Sequence, residues 1–270
     1  MDLKLSCADF AFPLLPHDDV LKLIALLDFQ GVDIGLFEDR THIHPNQVLS
    51  DLAASARELT TRVHDKGLVV ADIFYFEMQA IDDLSPEARH KSRDRFQHIV
   101  EFTLRCNAAH LTFGPRMPLD ETSLKQTAEE LAWRVELGQQ VGVVCAVEPN
   151  AGSVIQTPAR TMQLLKMTPG LTLTLDYSHF TYQGISDDES EKLVPYASHF
   201  HARGGKKNQM QAPLQDNVID FPRMLRAMRD ADFTGFMCLE YLWSEWFHCN
   251  KLDTLSETIQ MRDLLRSVEL

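Results

Sequence analysis

Apolar runs of strand length alternate along the chain with longer segments whose apolar residues recur at helical spacing, and eight such pairs follow one another without a linker. Leu3 to Cys7 reads as the first strand. Asp18 to Gln30 repeats Val20, Leu21, Leu23, Ile24 and Leu27 at helical spacing, with Gly31 as its end. Val32 to Phe37 is the second strand, Pro45 to Asp65 its helix, and Leu68 to Phe74 the third strand. Ser85-Pro86-Glu87 has the form of a helix start, with proline at the first helical position, and that helix runs to Arg105. Ala109 to Phe113 and Val141 to Val147 are the fourth and fifth strands, separated by a long amphipathic helix over Glu121 to Gln140. Thr157-Pro158 opens a helix to Lys166, and Leu171 to Leu175 is the sixth strand. A short helix over Glu189 to Val194 precedes the seventh strand, Ala197 to Ala202. Ile219 to Arg229, Gly235 to Leu239 and a closing helix over Thr254 to Val268 complete the series.

Strands nearly devoid of charge, each followed by an amphipathic helix, suit a parallel sheet covered by helices. Eight repeats predict an α/β chain folded as a single (β/α)8 TIM barrel over 1–270. An open dinucleotide-binding sheet is disfavoured, because the first strand-to-helix turn, Cys7 to Pro16, lacks G-x-G-x-x-G and holds two prolines.

Composition agrees with a globular chain: 44% hydrophobic and 24% charged residues, with 12 Gly and 12 Pro, exclude collagen-like and largely disordered sequences. No apolar run approaches the ~20 residues of a membrane-spanning helix, and Asp2, Lys4 and Asp9 interrupt what would be a secretory signal. Five cysteines without C-x-x-C spacing read as reduced thiols, so a soluble cytoplasmic protein is expected. With 26 basic against 39 acidic residues the formal net charge is -13, which disfavours nucleic acid and membrane surfaces as partners. A small molecule is the expected partner, and homo-oligomerisation stays open.

In a β/α barrel the C-terminal strand ends converge on the active site. Four strands stop at a residue type that ligates metal: Glu148 after VGVVCAV, Asp176 after LTLTL, His201 after ASHF and Glu240 after GFMCL. Closing the barrel gathers three carboxylates and an imidazole around one axis, a donor set for one divalent ion such as Mn²⁺, Mg²⁺, Co²⁺ or Zn²⁺. Without a cation, converging carboxylates would repel one another. Beyond the eighth strand, Trp243, Trp246 and Phe247 are candidates to stack on a sugar face.

These strand ends resemble the xylose-isomerase-like superfamily of single-metal barrels, which includes ketose 3-epimerases, hydroxypyruvate isomerase, inosose dehydratase, sugar-acid lyases and the endonuclease IV repair enzymes. The resemblance implies a metal held by Glu148, by Asp176 of a D-x-x-H, by His201 of an H-x-H and by Glu240. It implies that Glu148 and Glu240 also act as acid and base, that His179 contacts substrate, and that His199 is a packed or hydrogen-bonded residue one layer down. The chain departs from the pattern after His201, where Arg203-Gly204-Gly205-Lys206-Lys207 replaces the usual aspartate and more distant arginine. The additional ligands of a trinuclear DNA-repair site are missing, since Phe74, Phe113 and the 215–219 segment supply none.

The activity so implied is isomerisation or epimerisation of a small ketose through an enediolate, the metal gripping the carbonyl and neighbouring hydroxyl. The alternative is a lyase, a decarboxylase or dehydratase of a keto-sugar acid, with Arg203 gripping the substrate carboxylate by two parallel hydrogen bonds.

Overall fold

The computed structural model describes residues 2–37, 41–76, 85–115 and 119–269. Eight parallel strands, β1 (Lys4–Ala8), β2 (Gly31–Leu36), β3 (Val69–Tyr75), β4 (His110–Phe113), β5 (Val144–Val147), β6 (Thr172–Asp176), β7 (Ala197–Ala202) and β8 (Phe236–Leu239), pair in sequence order and close into a barrel. Closure is made by β1 on β8, with Leu5 opposite Met237 and Cys7 opposite Leu239. The helices are α1 (His17–Leu26), α2 (Pro45–Ser50), α3 (Leu52–His64), α4 (Pro86–Arg105), α5 (Glu121–Val141), α6 (Pro158–Met167), α7 (Tyr177–Tyr182), α8 (Asp187–Ser190), α9 (Phe221–Asp230) and α10 (Thr254–Ser267). Each long helix turns an apolar stripe inward: in α1 it is Val20, Leu21 and Ile24, all buried. Full burial of such a side chain is worth about 1.5–3 kcal/mol.

Local chemistry moves several of the expected boundaries. α1 stops at Leu26 and Asp28 takes a left-handed backbone (φ 62°), so Gly31 opens β2 instead of ending the helix. A Cβ at Gly31 would lie 3.0 Å from both Ala71 Cβ and the Phe236 ring, which explains glycine there. The segment expected as one helix over Pro45 to Asp65 breaks at Asp51 (φ -151°), whose carboxylate accepts the Ala54 N–H at 3.0 Å and caps α3. Val141 belongs to α5, and Gly142 in the left-handed region (φ 82°) ends it, so β5 is shorter than expected. The expected Glu189 to Val194 helix is α8 followed by 3-10 turns over Glu191–Tyr196, with Pro195 inside them. α4 starts at Pro86 as expected, with the Ser85 hydroxyl accepting the Ala88 N–H at 3.2 Å.

The barrel interior is polar where branched aliphatic side chains usually fill it. Asp33 accepts from the Ser6 hydroxyl and from His199 Nε2, both at 2.6 Å. Asp72 accepts from His110 Nδ1 at 2.7 Å and from the Thr112 N–H at 3.1 Å, and the Thr112 and Thr174 hydroxyls lie 2.6 Å apart. Two bulges help to assemble these layers. Ala71 is an extra residue in β3 between partners of Val32 and Asp33, and Ser198 is an extra residue in β7 between partners of Leu173 and Thr174. A bulge re-aims the residues beside it. Ser198 therefore reaches His110 Nε2 at 2.7 Å while its neighbour His199 reaches Asp33.

Candidate metal and active site

Strand register brings the expected ligands together. Asp176, the last residue of β6, pairs with His201 on β7, and His201 pairs with Cys238 on β8, two residues before Glu240. The Glu240 N–H continues the ladder to the Ala202 carbonyl at 3.1 Å, and the Glu148 N–H does the same to Phe113 at 3.1 Å. All four residues sit at the C-terminal strand ends, each at most 3% exposed.

His201 lies between two carboxylates, with Nδ1 2.7 Å from Glu148 Oε1 and 3.4 Å from Glu240 Oε2. Ligand atoms of Glu148, His201 and Glu240 fall within 4.8 Å of one another, as do those of Glu148, Asp176 and His179. Glu148 joins the two groups, and Asp176 stands with His179 on the far side. Asp176 is braced by its own neighbour: Oδ1 accepts the Ser178 N–H and Oδ2 the Ser178 hydroxyl, both at 2.8 Å. The Ala151 N–H donates to His179 Nδ1 at 3.2 Å, and the other ring nitrogen, Nε2, lies toward the carboxylates. That nitrogen faces Asp176 Oδ2 at 3.8 Å and Glu148 Oε2 at 3.9 Å.

Arg203 is fully enclosed at 1% exposure. Its Nη2 lies 2.8 Å from Asp176 Oδ2 and 3.2 Å from His179 Nε2, its Nη1 3.3 Å from Glu240 Oε2, and its Nε donates to the Ser178 hydroxyl at 2.9 Å. The guanidinium thus spans two of the expected ligand carboxylates. Trp246 borders the same group, its ring 5.9 Å from both the Arg203 guanidinium carbon and the His179 ring. The turn that carries Trp246 is strained: Phe247 and His248 both adopt left-handed backbone (φ 48° and 59°), rare for bulky side chains. Phe247 packs on Tyr182 at 4.8 Å, and Trp243 is 40% exposed, so of the three aromatics only Trp246 is seen against the site residues.

The electrostatics follow from burial opposed by pairing. Burial drives Glu240 up to about 7, with Glu148 and Asp176 adding to the rise and Arg203 and His201 opposing it. Burial acts the same way on Glu148 and Asp176, but His201 outweighs it at the first and Arg203 with His179 at the second, so both stay below the usual carboxylate range. Burial disfavours charge on His201, yet Glu240, Asp33 and Glu148 together hold its pKa well above the imidazole norm. Glu240 Oε2 and His201 Nε2 are buried without a hydrogen-bond partner among the described residues. A cluster of carboxylate oxygens and imidazole nitrogens, with a buried Glu240 oxygen that no hydrogen bond from the described residues satisfies, fits a divalent cation by donor chemistry.

Two features of the site lay outside the sequence reading. Asp33, inside β2, sits below His201 with Oδ2 3.7 Å from its Nε2, and Asp33, His199, His201 and Cys238 place ligand-type atoms within 4.8 Å. Phe74 lies 5.5 Å from the His201 ring and meets Phe37 at 5.1 Å and Phe10 at 6.0 Å, forming an aromatic wall. Its available signal was an aromatic residue at or just beyond the end of each of the first three strands.

Solved structures share this architecture. The D-psicose 3-epimerase of Clostridium cellulolyticum H10, crystallised with D-tagatose, has 14% identity and a TM-score of 0.79, covering 98% of this chain and 99% of that one. A probable 3-DHS dehydratase of petrobactin synthesis from Bacillus anthracis has 16% identity and a TM-score of 0.75, covering 97% and 99%. A xylose isomerase-like TIM barrel protein from Mycobacterium smegmatis, in complex with magnesium, has 15% identity and a TM-score of 0.76, covering 99% and 96%. No curated protein matches the chain. At these identities the structures establish the fold alone, while the family described as xylose isomerase-like TIM barrel matches residues 21–267, so the chain belongs to that family.

Proposed function

We propose that this chain is a divalent-metal-dependent sugar isomerase or epimerase that acts on a small neutral ketose through an enediolate. The observation that carries the reading is the convergence of Glu148 and Glu240 on His201 Nδ1, at 2.7 and 3.4 Å, with Asp176 held alongside by Arg203. Glu148, Asp176, His201 and Glu240 would hold the metal, which when bound supplies Lewis acidity to a carbonyl and its neighbouring hydroxyl.

The protein's part is proton movement and orientation. Glu148, kept ionised by His201, is the group that accepts a proton from the carbon beside the carbonyl. Glu240, 3.4 Å from His201 Nδ1, is assigned the return of the proton. His179, whose Nε2 lies beside Asp176, Glu148 and Arg203, is assigned to a substrate hydroxyl. Phe74 and Trp246 are the aromatic surfaces next to His201 and His179 and help to exclude water. Cytoplasmic operation is supported by five free, buried thiols.

Charge balance favours a neutral substrate over a sugar acid. Three carboxylates, a divalent ion and the Arg203 guanidinium sum to zero, and the Nε–Nη2 edge that Arg203 would turn to a substrate carboxylate is already taken by the Ser178 hydroxyl and Asp176. A lyase acting on a keto-sugar acid would need that edge.

The test is a screen of ketoses and keto-sugar acids in D₂O with Mn²⁺. Deuterium entering a neutral ketose beside its carbonyl supports the reading. Turnover of sugar acids alone would replace it with the lyase.

A further inference from the structure

We infer that Asp33 is a positioning residue for His201, and that His199 competes with His201 for the same carboxylate oxygen. Asp33 is buried inside β2, and its Oδ1 is committed to the Ser6 hydroxyl at 2.6 Å. Its Oδ2 accepts from His199 Nε2 at 2.6 Å and lies 3.7 Å from His201 Nε2. The His201 nitrogen has no hydrogen-bond partner among the described residues, although the ring is 1% exposed.

The ring therefore has two unlike ends. Nδ1 faces Glu148 and Glu240, while Nε2 points down the barrel at a carboxylate 3.7 Å away. An imidazole that ligates through one nitrogen gains basicity and a fixed tautomer when its other N–H donates to a carboxylate. Asp33 is the carboxylate in reach. A closure of less than 1 Å would make the bond, since N–H···O contacts run about 2.7–3.2 Å.

His199 stands on the same strand two residues earlier, faces the same way and holds that oxygen first. The arrangement makes the two histidines rivals. Removing Asp33 takes away the brace of His201, whereas removing His199 frees the brace for His201. A purely structural cluster would behave differently, because losing either partner of a buried pair damages the same packing.

The inference rests on the metal site proposed above, and the experiment separates the two. Mn²⁺ binding is measured by titration calorimetry on the parent, Asp33→Asn and His199→Gln, together with each unfolding midpoint in chelator. The expected result is a 10- to 100-fold weaker Mn²⁺ dissociation constant for Asp33→Asn, the range for lost outer-shell partners, and parental or tighter binding for His199→Gln. Similar weakening in both variants, or parental affinity in Asp33→Asn, overturns the inference with the metal site intact. If Asp33→Asn does not fold, His199→Gln decides alone: a drop in affinity overturns the inference and its absence supports it. A parent that binds no Mn²⁺ overturns the metal site and the role of Asp33 with it.

Discussion

Arg203 Nη2 lies 2.8 Å from Asp176 Oδ2, so the guanidinium expected to grip a substrate carboxylate is engaged by one of the expected metal ligands. The guanidinium acts as a permanent cation among three converging carboxylates, and its raised pKa reflects Asp176 and Glu240 outweighing the cost of burial. Arg203→Gln leaves those carboxylates without their counter-charge, and breaking a buried ion pair from one side costs about 3–5 kcal/mol. The expected outcome is a markedly lower unfolding midpoint in chelator, partly recovered by Mn²⁺. A variant with the parental midpoint would show that the pairing carries no weight.

The same substitution separates substrates. With Arg203 engaged by Asp176 and Glu240, kcat/KM for a neutral ketose and for a sugar acid should fall by similar factors. A loss confined to the sugar acid, on the order of 2–5 kcal/mol, would mean that the guanidinium leaves its partners to grip a substrate carboxylate.

Glu240 sets a pH dependence whose sign can be worked out. Its folded pKa of about 7 exceeds the ~4.3 of an unfolded glutamate, so between those values the native state holds the extra proton. The stabilisation from that proton is complete below ~4.3 and is lost as pH rises through about 7. Metal needs the ionised carboxylate and a neutral His201 imidazole, so Mn²⁺ affinity should rise with pH through about 7 and go on rising until His201 has lost its proton. Thermal unfolding with and without Mn²⁺ across pH 6 to 8 checks this: the metal-induced increase in midpoint should grow with pH, and a flat increase would remove Glu240 from the ligand set.

Asp51 makes a prediction about the fold. Its side chain caps α3 through the Ala54 N–H, so Asp51→Ala should cost about 0.5–2 kcal/mol of stability and leave Mn²⁺ binding unchanged. Denaturant unfolding measures the first and calorimetry the second. An unchanged unfolding midpoint would mean that the break before α3 does not depend on its cap.

The barrel was legible because parallel strands buried on both faces read as short apolar runs, and proline or serine marks several helix starts. The break at Asp51 was not, because apolar spacing continues across it and the capping bond depends on the φ of a single residue. At the site, Glu148, Asp176, His201 and Glu240 stand out as polar residues that stop apolar runs. Asp33 does not stop a run; it lies within one, and its meaning depends on a barrel closure that brings β2 and β7 across from each other. Arg203 was visible, but its direction was not, because Gly204 and Gly205 follow it and contacts with Ser178, Asp176 and Glu240 fix it.

The central claim is that Glu148 and Glu240 move a proton on a metal-held ketose. Its most direct measurement is the rate at which solvent deuterium enters the ketose carbon beside the carbonyl, for the parent, Glu148→Gln and Glu240→Gln, each with Mn²⁺ shown to be bound. The account predicts metal-dependent exchange in the parent, none in chelator, and a fall of about 10²- to 10⁴-fold in each variant. Exchange at the parental rate in either metal-loaded variant, or undiminished exchange in verified metal-free protein, would contradict it.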